Sequence, residues 1–143
     1  MASYYINEAV FALPDREFVD RTVHVLEAKL PDDDAIGLLV LRRPIGEHKT
    51  LRDLVKDHVD DDAKRLSGFT VIDQAESTVA GAPAILVRSR WRHSGKVLYQ
   101  RQAHLAVNWT WLLFAVTGPL LDSAACDDTF DSVLSTLVWR DGS

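Results

Sequence analysis

Between Asn108 and Val116 the chain reads "NWTWLLFAV", with no charged side chain and apolar residues on both alternating sets. If the stretch is a strand, Trp109, Trp111, Leu113 and Ala115 point one way and Leu112, Phe114 and Val116 the other. A strand that is apolar on both faces needs a cover on both. "AIGLLVLRR" at 35–43 has the same two-sided character and ends at Pro44 and Gly46.

Other segments alternate or run apolar over strand lengths. Tyr4 to Leu13 is expected as a first strand, with a polar break at Asn7-Glu8 and a stop at Pro14. Arg21 to Leu26 alternates, Val23 and Val25 on one side and Thr22, His24 and Leu26 on the other. Phe69 to Asp73 is a further strand. Ala84 to Arg92 turns through "HSGK" into Val97 to Val107, and Trp109 to Thr117 follows after a single Asn. From Thr50 the period becomes helical: Leu51, Leu54, Val55, Val59, Ala63 and Leu66 form a stripe, with Thr50 as N-cap and Gly68 at the far end. A second helix is expected from Gly118-Pro119 to near Trp139, with Phe130, Val133, Leu134 and Leu137 on one side.

The pattern therefore predicts an α+β domain: roughly six to seven mostly antiparallel strands and two helices. Two helices can cover one face of such a sheet or part of each, and cannot seal both. An apolar area is expected to stay open on one face, as a docking surface for another protein or for a second copy of the chain.

Length and composition keep this picture within one domain spanning 1–143, with 47% apolar and 26% charged residues. A net charge of −5, with acids and bases interleaved, speaks against nucleic-acid binding. The local basic group Arg88, Arg90, Arg92 and Arg101 reads as a solvated strand face. The lone Cys126 reads as a small buried helix residue. The N-terminus shows no secretory pattern and no window reaches the roughly 18 apolar residues of a spanning helix, so a cytoplasmic protein without membrane insertion is expected.

Chemical signatures are sparse. His24, His48, His58, His93 and His104 show no metal-ligand spacing, and there is no nucleophile elbow, P-loop or dinucleotide fingerprint. The acidic runs at 32–34 and 60–62 read as solvated charge. No metal, cofactor or enzymatic activity is expected. Gln102 and His58 stand out because each sits in an apolar setting, where it either bonds a partner or is satisfied internally.

The order of these pieces resembles the DcrB-related family and, within it, the Eag-type chaperones of type VI secretion. The resemblance rests on "YYINEAVFALP" at 4–14, "DRTVHVLE" at 20–27 and "LSGF" at 66–69. It also rests on "GAPAILVRSRWRHSGKVLYQRQ" at 81–102 and "FDSVLSTL" at 130–137. It implies a PsbP-like fold: a curved antiparallel sheet flanked by helices. It further implies a non-enzymatic homodimer that shields the N-terminal transmembrane helices of a secreted toxin and aids its loading on the secretion spike. Matched by position, Val23, Val25, Gln102 and His58 become client-binding residues, His58 standing where the family can carry glutamine. Leu38 and Val40 are expected to extend that face. Ser67 departs from the family's "LPGF" turn, and the signal and lipidated cysteine of the family's exported branch are not seen. The alternative is a module that binds a small hydrophobic ligand or lipid on the same face.

Overall fold

The computed structural model describes residues 2–5, 9–16, 21–47 and 49–140. Two short strands, β1 (Ala2–Tyr5) and β2 (Val10–Leu13), pair antiparallel as a separate hairpin, where one continuous strand was expected. The remaining strands are β3 (Val23–Lys29), β4 (Ala35–Pro44), β5 (Ser67–Val79), β6 (Ala82–His93), β7 (Lys96–Val107) and β8 (Thr110–Pro119). They form one open antiparallel sheet in the order β3-β4-β8-β7-β6-β5, with two helices, α1 (Leu51–Arg65) and α2 (Ser123–Ser135). The fold is α+β, as the pattern predicts.

Three of the strand connections are two-residue hairpins with both central residues at positive φ: Ala80-Gly81, Ser94-Gly95 and Asn108-Trp109. Such turns match the twist of the strands they join, which accounts for the meander from β5 to β8. Trp109 (φ 62°) therefore belongs to a turn and not to the strand, and its side chain is exposed. β5 extends well past Asp73, because an edge strand tolerates the mostly polar run Gln74 to Thr78. Helix α2 stops at Ser135. Trp139 then anchors the tail by donating its indole N–H to Ala80 O at 2.8 Å.

Helix α1 starts where the sequence places it, in a reciprocal capping box. Thr50 Oγ1 accepts from Asp53 N at 3.2 Å, and Asp53 Oδ2 accepts from Thr50 N at 3.0 Å. The two helices lie on opposite faces of the sheet. α2 brings Cys126 and Phe130 onto Ile36, Tyr99, Ala103, Leu105, Phe114 and Val116, the main core. α1 brings Val55, with Leu51 and Val59, onto Ile85, Val87 and Val71. Arg101, expected to be solvated, instead clamps α2: its guanidinium lies 4.3 Å over the Phe130 ring and donates to Asp127 Oδ1 at 3.0 Å.

At Gly118 on β8 the Cys126 side chain of α2 packs directly against the sheet backbone. A methyl added there would meet Cys126 Sγ and Ile36 Cγ2 at 2.8 Å. Gly118→Ala is expected to reduce the unfolding free energy by about 1–3 kcal/mol. The measurement is urea denaturation, read as a lower midpoint at unchanged slope.

Candidate functional site

Strand register settles which residues share a face. Val23 pairs with Leu41 and Val25 with Leu39. Leu39 pairs in turn with Ala115, and Ala115 with Gln102. Paired residues point the same way, so Val23, Val25, Leu39, Leu41 and Gln102 all project on the α1 side. His58 projects onto the same side from α1 and meets Gln102. Four of the six expected residues thus lie on one side of the sheet, and two of them, Gln102 and His58, are in contact.

Leu38 and Val40 are not. They pair with Val116 and Phe114 and pack into the core beneath α2, on the opposite face. A one-residue shift moves a strand position to the other side, and in a strand apolar on both sides hydrophobicity cannot say which set faces which way. Leu39 and Leu41 take the place assigned to Leu38 and Val40.

α1 lies mainly over β5, β6 and β7, with its His58 ring reaching Trp111 on β8. Toward the β3 edge the face is left open: Val23 is 44% and Val25 71% exposed, with Leu39 and Leu41 half-buried behind them. Leu26, 60% exposed, projects from the same strand on the α2 side.

Between the open strip and α1 runs a chain of hydrogen bonds whose direction can be worked out. An indole N–H can only donate. Trp111 Nε1 donates to His104 Nδ1 at 3.2 Å, so the His104 proton is on Nε2, which donates to Gln102 Oε1 at 2.9 Å. The Gln102 amide then donates twice, to Gln100 Oε1 at 2.6 Å and to His58 Nε2 at 3.3 Å. Gln100 passes its own N–H to Thr117 Oγ1 at 2.8 Å. The Trp111 and His104 rings stack at 5.8 Å with 5° between planes, and His58 stands edge-on to both.

Gln102, only 2% exposed, has its oxygen and both amide protons engaged inside the protein. His104 is fully buried, and burial, then the neighbouring His58, push it down to about 3. Burial also lowers His58, partly offset by Asp62. Asp62 corrects the reading of 60–62 as solvated charge: it is 4% exposed, accepting from Arg65 at 2.8 Å with its other oxygen 3.4 Å from His58 Nε2.

Elsewhere, Asp32, Asp34 and Asp122 converge, one carboxylate oxygen of each lying within 4.8 Å of the others. The hydrogen bond to Asp32, followed by desolvation, pushes Asp122 up to about 6. Lys96 Nζ lies 3.8 Å from Asp34. The remaining histidines stand apart from this site: His24 and His93 are exposed, and His48 lies outside the described residues. Among the described residues no helix is long and apolar enough to cross a membrane.

The DcrB family profile matches residues 8–136. The chain belongs to the DcrB family. Among solved structures, this DcrB-family chain is similar to PA94, a Pseudomonas aeruginosa protein of unknown function. The TM-score is 0.79 at 22% identity, over 98% of this chain and 97% of that one. It is also similar to LpqN, involved in cell envelope biogenesis of Mycobacterium tuberculosis, with TM-score 0.64 at 12% identity, over 82% and 80%. The third likeness is to CyanoP, the PsbP of Synechocystis sp. PCC 6803, with TM-score 0.57 at 12% identity, over 90% and 98%. These likenesses establish the PsbP-like fold. No curated protein matches the sequence.

The family motif residues have identifiable physical jobs here. Gly81 and Gly95 occupy positive-φ turn positions, and the Arg101-Gln102 pair projects to opposite faces, one side chain holding α2 and the other α1. His104 and Trp111 were missed as site residues. Their signal, a histidine and a tryptophan on the apolar face of neighbouring strands, becomes readable only once the β7–β8 register pairs His104 with Leu113 and Ala106 with Trp111.

The buried neutral His104 has a consequence for stability. Its folded pKa of about 3 lies below the ordinary 6.5, so on acidification the unfolded chain takes up a proton that the folded one refuses. Stability from this group is complete above pH 6.5 and falls by about 1.4 kcal/mol per pH unit below it. Urea midpoints at pH 7 and pH 5 should separate more for the unsubstituted chain than for His104→Gln. Equal separation would exclude a neutral buried imidazole.

Proposed function

We propose that this DcrB-family protein is a non-enzymatic, cytoplasmic chaperone of the Eag type. It would hold the N-terminal transmembrane helices of a type VI secreted toxin away from water and help load the toxin on the secretion spike. The observation that carries the reading is the open strip on the α1 side: Val23 and Val25 exposed, Leu39 and Leu41 behind them, continuous with the Trp111 end of the polar chain.

The dimensions fit a helix. Two adjacent strands and their side chains offer a strip comparable to the roughly 10–12 Å diameter of an α-helix. A transmembrane segment of about 20 residues is roughly 30 Å long, whereas the seven residues of β3 extend about 23 Å. One protomer therefore covers most of a helix and not all of it. A second copy would supply the remainder, which is the physical case for a homodimer. Each apolar square ångström removed from water contributes about 25 cal/mol, and in this way the strip would stand in for lipid. Leu39 and Leu41, not Leu38 and Val40, would extend the contact made by Val23 and Val25, with His58 at its margin.

The test is an affinity pull-down from native lysate, with mass spectrometry of what stays bound. The expected result is one dominant protein with apolar stretches of about 20 residues near its N-terminus. Joint replacement Val23→Asp and Val25→Asp should abolish that capture with little loss of stability, since both side chains are already exposed. Leu26→Asp, equally exposed on the other face of β3, should leave capture intact. Capture that survives the double replacement would remove the strip from the site, and a stoichiometric lipid in place of a protein would favour the ligand-binding reading.

A further inference from the structure

One atom in the polar chain faces two incompatible partners. His58 Nε2 is 3.3 Å from the Gln102 amide nitrogen on β7 and 3.4 Å from Asp62 Oδ2, one turn along its own helix. The Gln102 amide is a donor at this point, because its orientation is set from the far end of the chain. Trp111 can only donate, which puts the His104 proton on Nε2, which makes the facing Gln102 atom its oxygen. His58 Nε2 can therefore accept from Gln102 only while it carries no proton. Asp62 Oδ2 is an acceptor and attracts that nitrogen only when it does carry one.

We propose that His58 is a proton-controlled latch between α1 and the sheet. Neutral, it accepts from Gln102 and ties the middle of α1 to β7. Protonated, the same nitrogen becomes a donor, turns to Asp62, and frees one N–H of Gln102. The tie changes from helix-to-sheet to within-helix.

The surroundings fit such a device. From its own helix His58 faces Asp61 and Asp62, which favour the charged ring, and Arg65, which opposes it. β7 presents His104 and β8 the Trp111 indole, both in ring contact with His58. β5 and β6 place Val71, Ile85 and Val87 beneath α1. His104 stays neutral down to about 3, so the reference end of the chain keeps its tautomer while His58 titrates. His58 is lowered mainly by burial, which puts release on the acid side of its ordinary range. The latched state is complete above that range and is lost as pH falls.

Ring and side-chain amide nitrogens in ¹⁵N-labelled full-length protein report the latch with no client present. At pH 8 His58 should be the Nδ1–H tautomer. On acidification the Gln102 side-chain amide should shift with the same midpoint as His58. In His58→Gln, which can accept through its oxygen at every pH, the Gln102 amide should not move. Asp62→Asn should lower the His58 midpoint by about one unit, through loss of the carboxylate that receives the proton. A neutral His58 protonated on Nε2, or a Gln102 amide indifferent to the His58 titration, would overturn the latch.

The bearing of the latch on client capture rests on the function proposed above: the freed Gln102 N–H would become the donor offered to an acceptor on the bound helix. Capture of a synthetic transmembrane peptide, compared between pH 5 and pH 8 and against His58→Gln, reads that step separately. Absence of binding at both pH values counts against the client face and leaves the spectroscopic result intact.

Discussion

The structure depends on one geometric constraint: an open sheet has two faces, and the described residues hold two short α-helices to cover them. α2 seals its side with Cys126 and Phe130 on the main core, held by Tyr99 and Arg101 converging on Asp127. α1 covers the β5–β7 half of the other side. The strands left over, β4 and the edge strand β3, keep the alternation of a covered sheet without the cover. An edge strand of seven exposed residues that includes Val23, Val25 and Leu26 is a liability in a free monomer. In the function proposed above, this is the surface that a client would cover.

The boundary between the covered and open halves is where the polar residues collect. A sheet floor of Val, Ile and Leu alone would let α1 slide or lift at small energetic difference. A chain of half-buried Gln100 and buried Gln102 and His104, paired in one arrangement, does not. An unpaired member would forfeit about 1–3 kcal/mol, so the chain fixes where α1 sits and with it the width of the open strip. Gln102 thus has a structural task in this state before it can have a recognition task.

Much of this was readable in the sequence, and the failures have definite causes. The Thr50 N-cap, the Leu51, Val55 and Val59 positions of the α1 stripe and the HSGK turn are local signals, and the structure keeps them, whereas Ala63 of the stripe is exposed. The choice of Leu38 and Val40 over Leu39 and Leu41 failed because both sets in "GLLVL" are apolar, so that only pairing with β8 distinguishes them. Trp109 was assigned to the strand because tryptophan at positive φ is a poor prior. The hairpin overrides it, with Ile45 N donating to Trp109 O at 2.8 Å. Asp62 looked solvated beside Asp60 and Asp61, since helical position alone does not reveal a neighbouring histidine and arginine folding over one carboxylate.

Histidine at position 58 does more than keep a hydrogen bond. A glutamine there could satisfy Gln102 at any pH, because its oxygen accepts and its amide donates from separate atoms. Histidine places both roles on one nitrogen and lets a proton choose between them. That choice requires a fixed polarity at the other end of the chain, and Trp111 supplies it as the only member that cannot reverse. Were Trp111 replaced by a residue able both to donate and to accept, His104 could change tautomer and Gln102 could flip. Protonation of His58 would then be absorbed without releasing α1. The aromatic stack on β7 and β8 and the titratable residue on α1 therefore form a single unit, and the one has its effect only in the presence of the other.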